Sequence, residues 1–230
     1  MAPDDVQVQT PASAPGLAQA LAEMGPNELT ELADELQIDG FERPSGGFFP
    51  MWQTIGAFRD DLVQFLSGKR QAFIGGVAVR SYGAREGPTF DYDILIASEH
   101  LQEVHSFLEK SGATLKGTIE DTYLYRVTSL AFDVDVRVAR SDLDRAALAG
   151  AKTATYRGVR LGIVAPVHLA CMKVKAFSER AETDKGRMDR LDVLGLLRTG
   201  ATTAEAVRGV LLAHRPDLIA TFDRMIQTAS

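Results

Sequence analysis

The strongest constraint in this 230-residue sequence is a pattern written twice: aspartates at alternate positions within short apolar runs. FDYDILI begins at Phe90, and AFDVDVRVA runs from Ala131 to Ala139. Side chains alternate faces along a β-strand. Asp91 and Asp93 therefore share one face of the first segment, opposite Phe90, Tyr92, Ile94 and Ile96. Asp133, Asp135 and Arg137 share one face of the second, opposite Phe132, Val134, Val136 and Val138. A single D-x-D is most simply the solvated face of a half-exposed strand. Two such pairs argue otherwise, because aspartate is depleted in strands. Carboxylates this close raise one another's pKa. A hard dication such as Mg²⁺ removes the conflict and keeps positions open for phosphate oxygens. Where the two strands are neighbours, three or four carboxylates meet on one patch, as two-metal phosphoryl transfer requires.

The segment ahead of Asp91 adds to this. QAFIGG ends an apolar run in Gly75 and Gly76, and glycines there let backbone N–H groups approach an anion. Val77–Tyr82 predicts one or two helical turns, followed by a loop that carries Arg85 and Thr89. Glycines and aspartates are thereby placed at the ends of adjacent elements.

The rest of the chain divides into helices, a small mixed sheet, and helices again, an α+β pattern. Residues 1–14 read as a loose tail, and 15–70 as an acidic helical region. Within it, helices are expected over Pro15–Met24, from Asn27 to Leu36, and over Thr54–Leu66, with a Gly/Pro linker over Phe41–Trp52. Residues 71–165 form the expected core. Ser98 caps a helix over Glu99–Lys110, and strands follow over Ala113–Gly117, Tyr123–Thr128 and Ala131–Ala139. A short helix spans Asp142–Leu148, and Thr153–Val164 is a hairpin about Gly158. From 166 to 230 the pattern is helical: Val167–Ala181, Arg187–Arg198, Ala204–His214 and Asp217–Gln227.

Composition and charge narrow the classes. The chain is 45% hydrophobic and 24% charged, with a formal charge of −6, values that exclude wholesale disorder and fibrous repeats. Residues 1–67 hold eleven acidic and two basic residues, whereas 137–190 hold twelve basic and six acidic. The basic stretch is a candidate phosphate-facing segment. The one cysteine, Cys171, excludes an internal disulfide framework and is expected to be buried and inert. No apolar run reaches the roughly 18–20 residues that span a bilayer, and the acidic, Pro/Ala-rich start lacks a secretory-signal pattern. A cytoplasmic protein with no membrane partner is expected. His100, His105, His168 and His214 show no metal-ligand spacing. No Walker A, G-x-G-x-x-G or G-x-S-x-G motif is present.

GGVAVRSYGAREGPTFDYDILI resembles the signature of the nucleotidyltransferase superfamily: a Gly pair, a helix, then [ST]-x-D-h-D. The style is closest to AbiEii-type toxins and related minimal nucleotidyltransferases. HLACMKVKAFSERAETDKGRMDRLDVLGLL resembles the family's C-terminal pattern and matches Lys173, Arg180, Lys185 and Asp192. The match covers Gln71 to Leu197, and the loop before Thr89 is about two residues longer than the family's. The resemblance implies a nucleotidyltransferase core with helical flanks and Mg²⁺ as cofactor, two ions for which Mn²⁺ substitutes. It implies NMP transfer from an NTP to an RNA, protein or small-molecule hydroxyl, with a toxin-like role and a cognate antitoxin. Asp91 and Asp93 would bind metal. Asp133 and Asp135 both offer the third carboxylate, with VDVRV favouring Asp135. Gly75, Gly76, Thr89, Arg85, Lys173 and Asp192 would bind nucleotide. A non-catalytic nucleotide- or partner-binding module on the same fold is the alternative. Helical periodicity supports Lys173 independently: it falls inside the arc of Leu169, Ala170, Met172, Val174, Ala176 and Phe177, where an ammonium needs a partner such as phosphate or Asp192. Snorkelling from the arc's edge is the competing account, and Lys175 reads as ordinary surface.

Overall fold

A computed structural model describes residues 49–85, 91–128 and 132–227. The chain enters through α1 (Phe49–Leu66), then β1 (Gln71–Phe73), α2 (Gly75–Ser81) and β2 (Asp91–Ile96). A 3₁₀ turn and α3 (Leu101–Lys110) lead to β3 (Ala113–Ile119), β4 (Thr122–Val127) and β5 (Phe132–Val138). Next come α4 (Asp142–Ala149), β6 (Lys152–Tyr156) and β7 (Val159–Ile163). Helices α5 (Pro166–Arg180), α6 (Asp184–Arg198), α7 (Ala204–His214) and α8 (Ile219–Gln227) complete the described chain. This is the expected α+β architecture. The helices predicted over Pro15–Met24 and Asn27–Leu36 lie outside the described residues, as do Thr89 and Ala131.

The seven strands form one mixed sheet in the order β3-β4-β5-β2-β1-β7-β6. The central pair, β2 and β5, runs parallel, with Asp91 opposite Asp133 and Asp93 opposite Asp135. Alternation decides which face each side chain takes. Ile94, Ile96, Val134, Val136 and Val138 are fully buried against Phe58, Leu62 and Leu66 of α1 and Val104 and Leu108 of α3. The acidic face turns the other way, toward the layer built by α2 and the C-terminal helices, whose core includes Leu169, Val174, Val193, Leu196 and Phe222.

Several boundaries differ from expectation for local reasons. Helix α1 begins at Phe49, so the end of the expected linker is helical. Gly75 and Gly76 form the first turn of α2 rather than preceding it. Ser98 begins a 3₁₀ turn and caps nothing through its side chain. Helix α6 starts at Asp184, because the Thr183 hydroxyl accepts from the Gly186 N–H as an N-cap. The β6–β7 hairpin turns at Arg157 and Gly158, both in the left-handed region, which matches the twist of the strands. No helix among the described residues is long and apolar enough to cross a membrane.

Gly195 of α6 sits on the Ala84 carbonyl, at the exit of the α2 turn, and a Cβ there would collide with it. That approach brings the helix to Arg85. Gly195→Ala is expected to destabilise the protein by about 1–3 kcal/mol through overpacking, measured by chemical denaturation.

Candidate active site

The acidic face of β2 and β5 opens into a cavity of about 440 Å³, within the usual range for small-ligand sites. Asp91 and Asp93 of β2 and Asp135 of β5 line it, together with Gly75 and Gly76. Neighbouring strands lie about 4.8 Å apart, so the parallel register brings Asp93 and Asp135 side by side. Asp133, the other candidate for third carboxylate, is turned to Arg126, whose guanidinium donates to it at 2.8 Å. It does not line the cavity.

The electrostatics follow this placement. Burial and the neighbouring charges of Asp93 and Asp91 push the Asp135 carboxyl up to about 6. Asp93 is also raised, first by burial and then by Asp91, while Lys173, Lys185 and the Gly76 N–H that it accepts hold it down. Gly75 has a φ of 62°, and a Cβ at this position would run into the Asp93 carboxylate. Two properties of glycine, a left-handed backbone and no side chain, are thus both in use. As they stand, no three Asp, Glu, His or Cys side chains among the described residues are gathered closely enough to ligate one ion.

Beside the carboxylates lies a buried ion network that joins α5, α6 and the residue after the α2 turn. Lys173 Nζ lies 2.9 Å from both Asp189 and Asp192, two carboxylates that are 1% exposed. Arg180 donates to Asp189 at 2.8 Å, and Arg85 makes a two-pronged contact with Asp192. Lys173 is therefore buried and paired, and does not snorkel. Asp192, expected to touch nucleotide, lies outside the cavity lining and holds Lys173 and Arg85 instead. Buried charges persist only when compensated this way.

Sequence reasoning singled out Lys185, through the resemblance, and Arg137, by strand alternation, but missed Asp189 and the pairing of Lys175. Asp189, a companion of Asp192 three residues earlier, carries half the network. Lys185 lines the cavity and makes no ion pair among the described residues, while its charge reaches both Asp93 and Asp135. Lys175 is not ordinary surface: it joins Glu120, at the turn between β3 and β4, to Glu179 of α5. Arg137, on the acidic face of β5, is tied to the buried Asp144 by two hydrogen bonds of 3.0 Å. Cys171 is buried as expected, and desolvation pushes its thiol up to about 12.

A carboxyl that holds its proton more tightly when folded stabilises the protein at low pH, and that contribution is lost as pH rises through the folded pKa. For Asp135 the window runs from about 4 to about 6. In a chelator, the wild type is expected to lose stability relative to Asp135→Asn across this window, by on the order of 1 kcal/mol after solvent screening. Denaturant titrations at pH 4, 5, 6 and 7 measure it.

No protein-family model matches the sequence, and no curated protein matches it either. Similarity appears among solved structures. The solution structure of the antibiotic-resistance factor ANT(2″)-Ia matches with a TM-score of 0.54 at 14% identity, over 76% of this chain and 98% of that one. The Megavirus polyadenylate synthase gives 0.47 at 13% identity, over 85% of this chain and 40% of that one. The lincomycin-bound lincosamide antibiotic adenylyltransferase LnuA gives 0.42 at 13% identity, over 65% and 97%. The chain thus shares the fold of ANT(2″)-Ia.

Proposed function

We propose that the chain is a metal-dependent nucleotidyltransferase that moves an NMP group from an NTP to an acceptor hydroxyl. One observation carries the reading: Asp91, Asp93 and Asp135 share a cavity with the Gly75–Gly76 turn and Lys185. The donor set fits a hard dication. All three ligands are carboxylate oxygens on one sheet face; Asp91 raises the proton affinity of Asp93, and Asp91 and Asp93 raise that of Asp135. Asp93 rests on the Gly76 N–H and would turn from it to share an ion. These three residues would hold Mg²⁺, as two ions in the arrangement that the sequence resemblance implies, with Mn²⁺ as substitute. When bound, the metal neutralises charge on the α-phosphate and on the departing pyrophosphate.

The protein's own groups divide the remaining work. Gly75 and Gly76 offer backbone N–H groups to the triphosphate, and Lys185 meets its charge. Asp135 takes the acceptor's proton as the acceptor oxygen bonds to the α-phosphorus. The bond between the α-phosphorus and the bridging oxygen breaks, and pyrophosphate leaves with that oxygen. Lys173 acts through the buried network, orienting α5 against α6 and lowering the Asp93 carboxyl. Arg85 fixes the start of the loop that leads to Thr89, by way of Asp192. Residues 71–165 supply the carboxylates of this reading, and 166–230 supply Lys173 and Lys185.

The acceptor classes are a small hydroxyl-bearing molecule, supported by the likeness to an antibiotic-resistance factor, and RNA or protein, supported by the toxin-like sequence resemblance. The second class brings a cytoplasmic setting and a cognate antitoxin with it. The test supplies α-labelled or γ-labelled NTP, Mg²⁺ and each acceptor class. Label should move from α-labelled NTP alone, and Asp93→Asn should lower the rate by on the order of 10³-fold. No transfer to any class, with NTP binding indifferent to Mg²⁺ and to Asp93→Asn, would establish a non-catalytic binding module instead.

A further inference from the structure

Exposed large apolar side chains are few among the described residues, and two of them line the active-site cavity: Ile119, 65% exposed, and Met188, 41% exposed. Met172 joins them from α5. Met172 adjoins Lys173, and Met188 lies one turn after Lys185 on the same side of α6. An apolar surface and a cation with no ion pair among the described residues thus occur together on the helical wall. A ligand with an anionic end and a flat apolar end matches that wall, and a nucleotide is such a ligand.

The charged residues of the cavity are largely engaged with one another. Arg85 holds Asp192, Arg137 holds Asp144, and Lys175 holds Glu120. Thioethers are flexible and polarisable, and they make favourable contacts with aromatic rings without fixing which ring is present. Every base has such a face. Building on the nucleotide reading above, we propose that Met172 and Met188, with Ile119 opposite on the β3–β4 hairpin, form a base-tolerant nucleobase subsite, so that the protein accepts all four NTPs.

The probes are ATP, GTP, CTP and UTP, with inorganic tripolyphosphate as the base-free control, titrated with Mg²⁺ against the full chain. The four NTPs should bind within about tenfold of one another. Met188→Ala should weaken all four by about tenfold while leaving tripolyphosphate unchanged; its half-exposed position makes it a mild change for folding, which circular dichroism checks. Preference for one NTP by more than tenfold overturns base tolerance. NTP affinities untouched by Met188→Ala, or tripolyphosphate weakened equally, overturn the assignment of Met188 to the base and point to an acceptor contact. Failure of both NTPs and tripolyphosphate to bind removes the nucleotide reading itself, and this subsite with it.

Discussion

The site depends on repulsion that the fold enforces. Asp93 and Asp135 are opposite one another in a parallel register, and they cannot separate without slipping the strands. A slip of one residue would expose Ile94, Ile96, Val134, Val136 and Val138, all now fully buried. Burying each such side chain is worth about 1.5–3 kcal/mol. Several of them together outweigh the repulsion of half-screened carboxylates. The apolar face thus fixes the acidic face, and burial first, then the neighbouring carboxylates, raises Asp93 and Asp135.

The second support is on the helical side. Lys173, Asp189, Asp192, Arg85 and Arg180 form one connected set of buried or half-buried charges across α5, α6 and the segment that follows α2. Removing one member leaves another uncompensated at low dielectric, so the set locks α5 and α6 beside the carboxylates. Gly195 allows the same approach by lacking a side chain against Ala84. Carboxylates from the sheet and cations from the helices therefore meet across one cavity.

Much of this was legible in the sequence because period-two alternation is a local property. FDYDILI and FDVDVRV assigned their faces without knowledge of the partner strands, and β5 shows the expected alternation of buried and half-buried residues. The sequence favoured Asp135 over Asp133 only through VDVRV; that Asp133 is turned to Arg126 was not legible, because a neighbouring strand brings the arginine to it. The burial of Lys173 followed from helical periodicity, but its second partner, Asp189, required the packing of α5 on α6. Lys175 looked solvated for the same reason: Glu120 reaches it across 55 residues, from a hairpin turn with left-handed φ.

The central claim is that Asp91, Asp93 and Asp135 are tolerable neighbours because they share a dication. Calorimetric titration of the full chain with Mn²⁺ at pH 7.5, without nucleotide, tests it most directly. The account predicts saturable binding that is lost in Asp93→Asn and strongly weakened in Asp135→Asn, yet retained in Asp133→Asn. Binding that is absent in the wild type, or equally sensitive to all three substitutions, would contradict it.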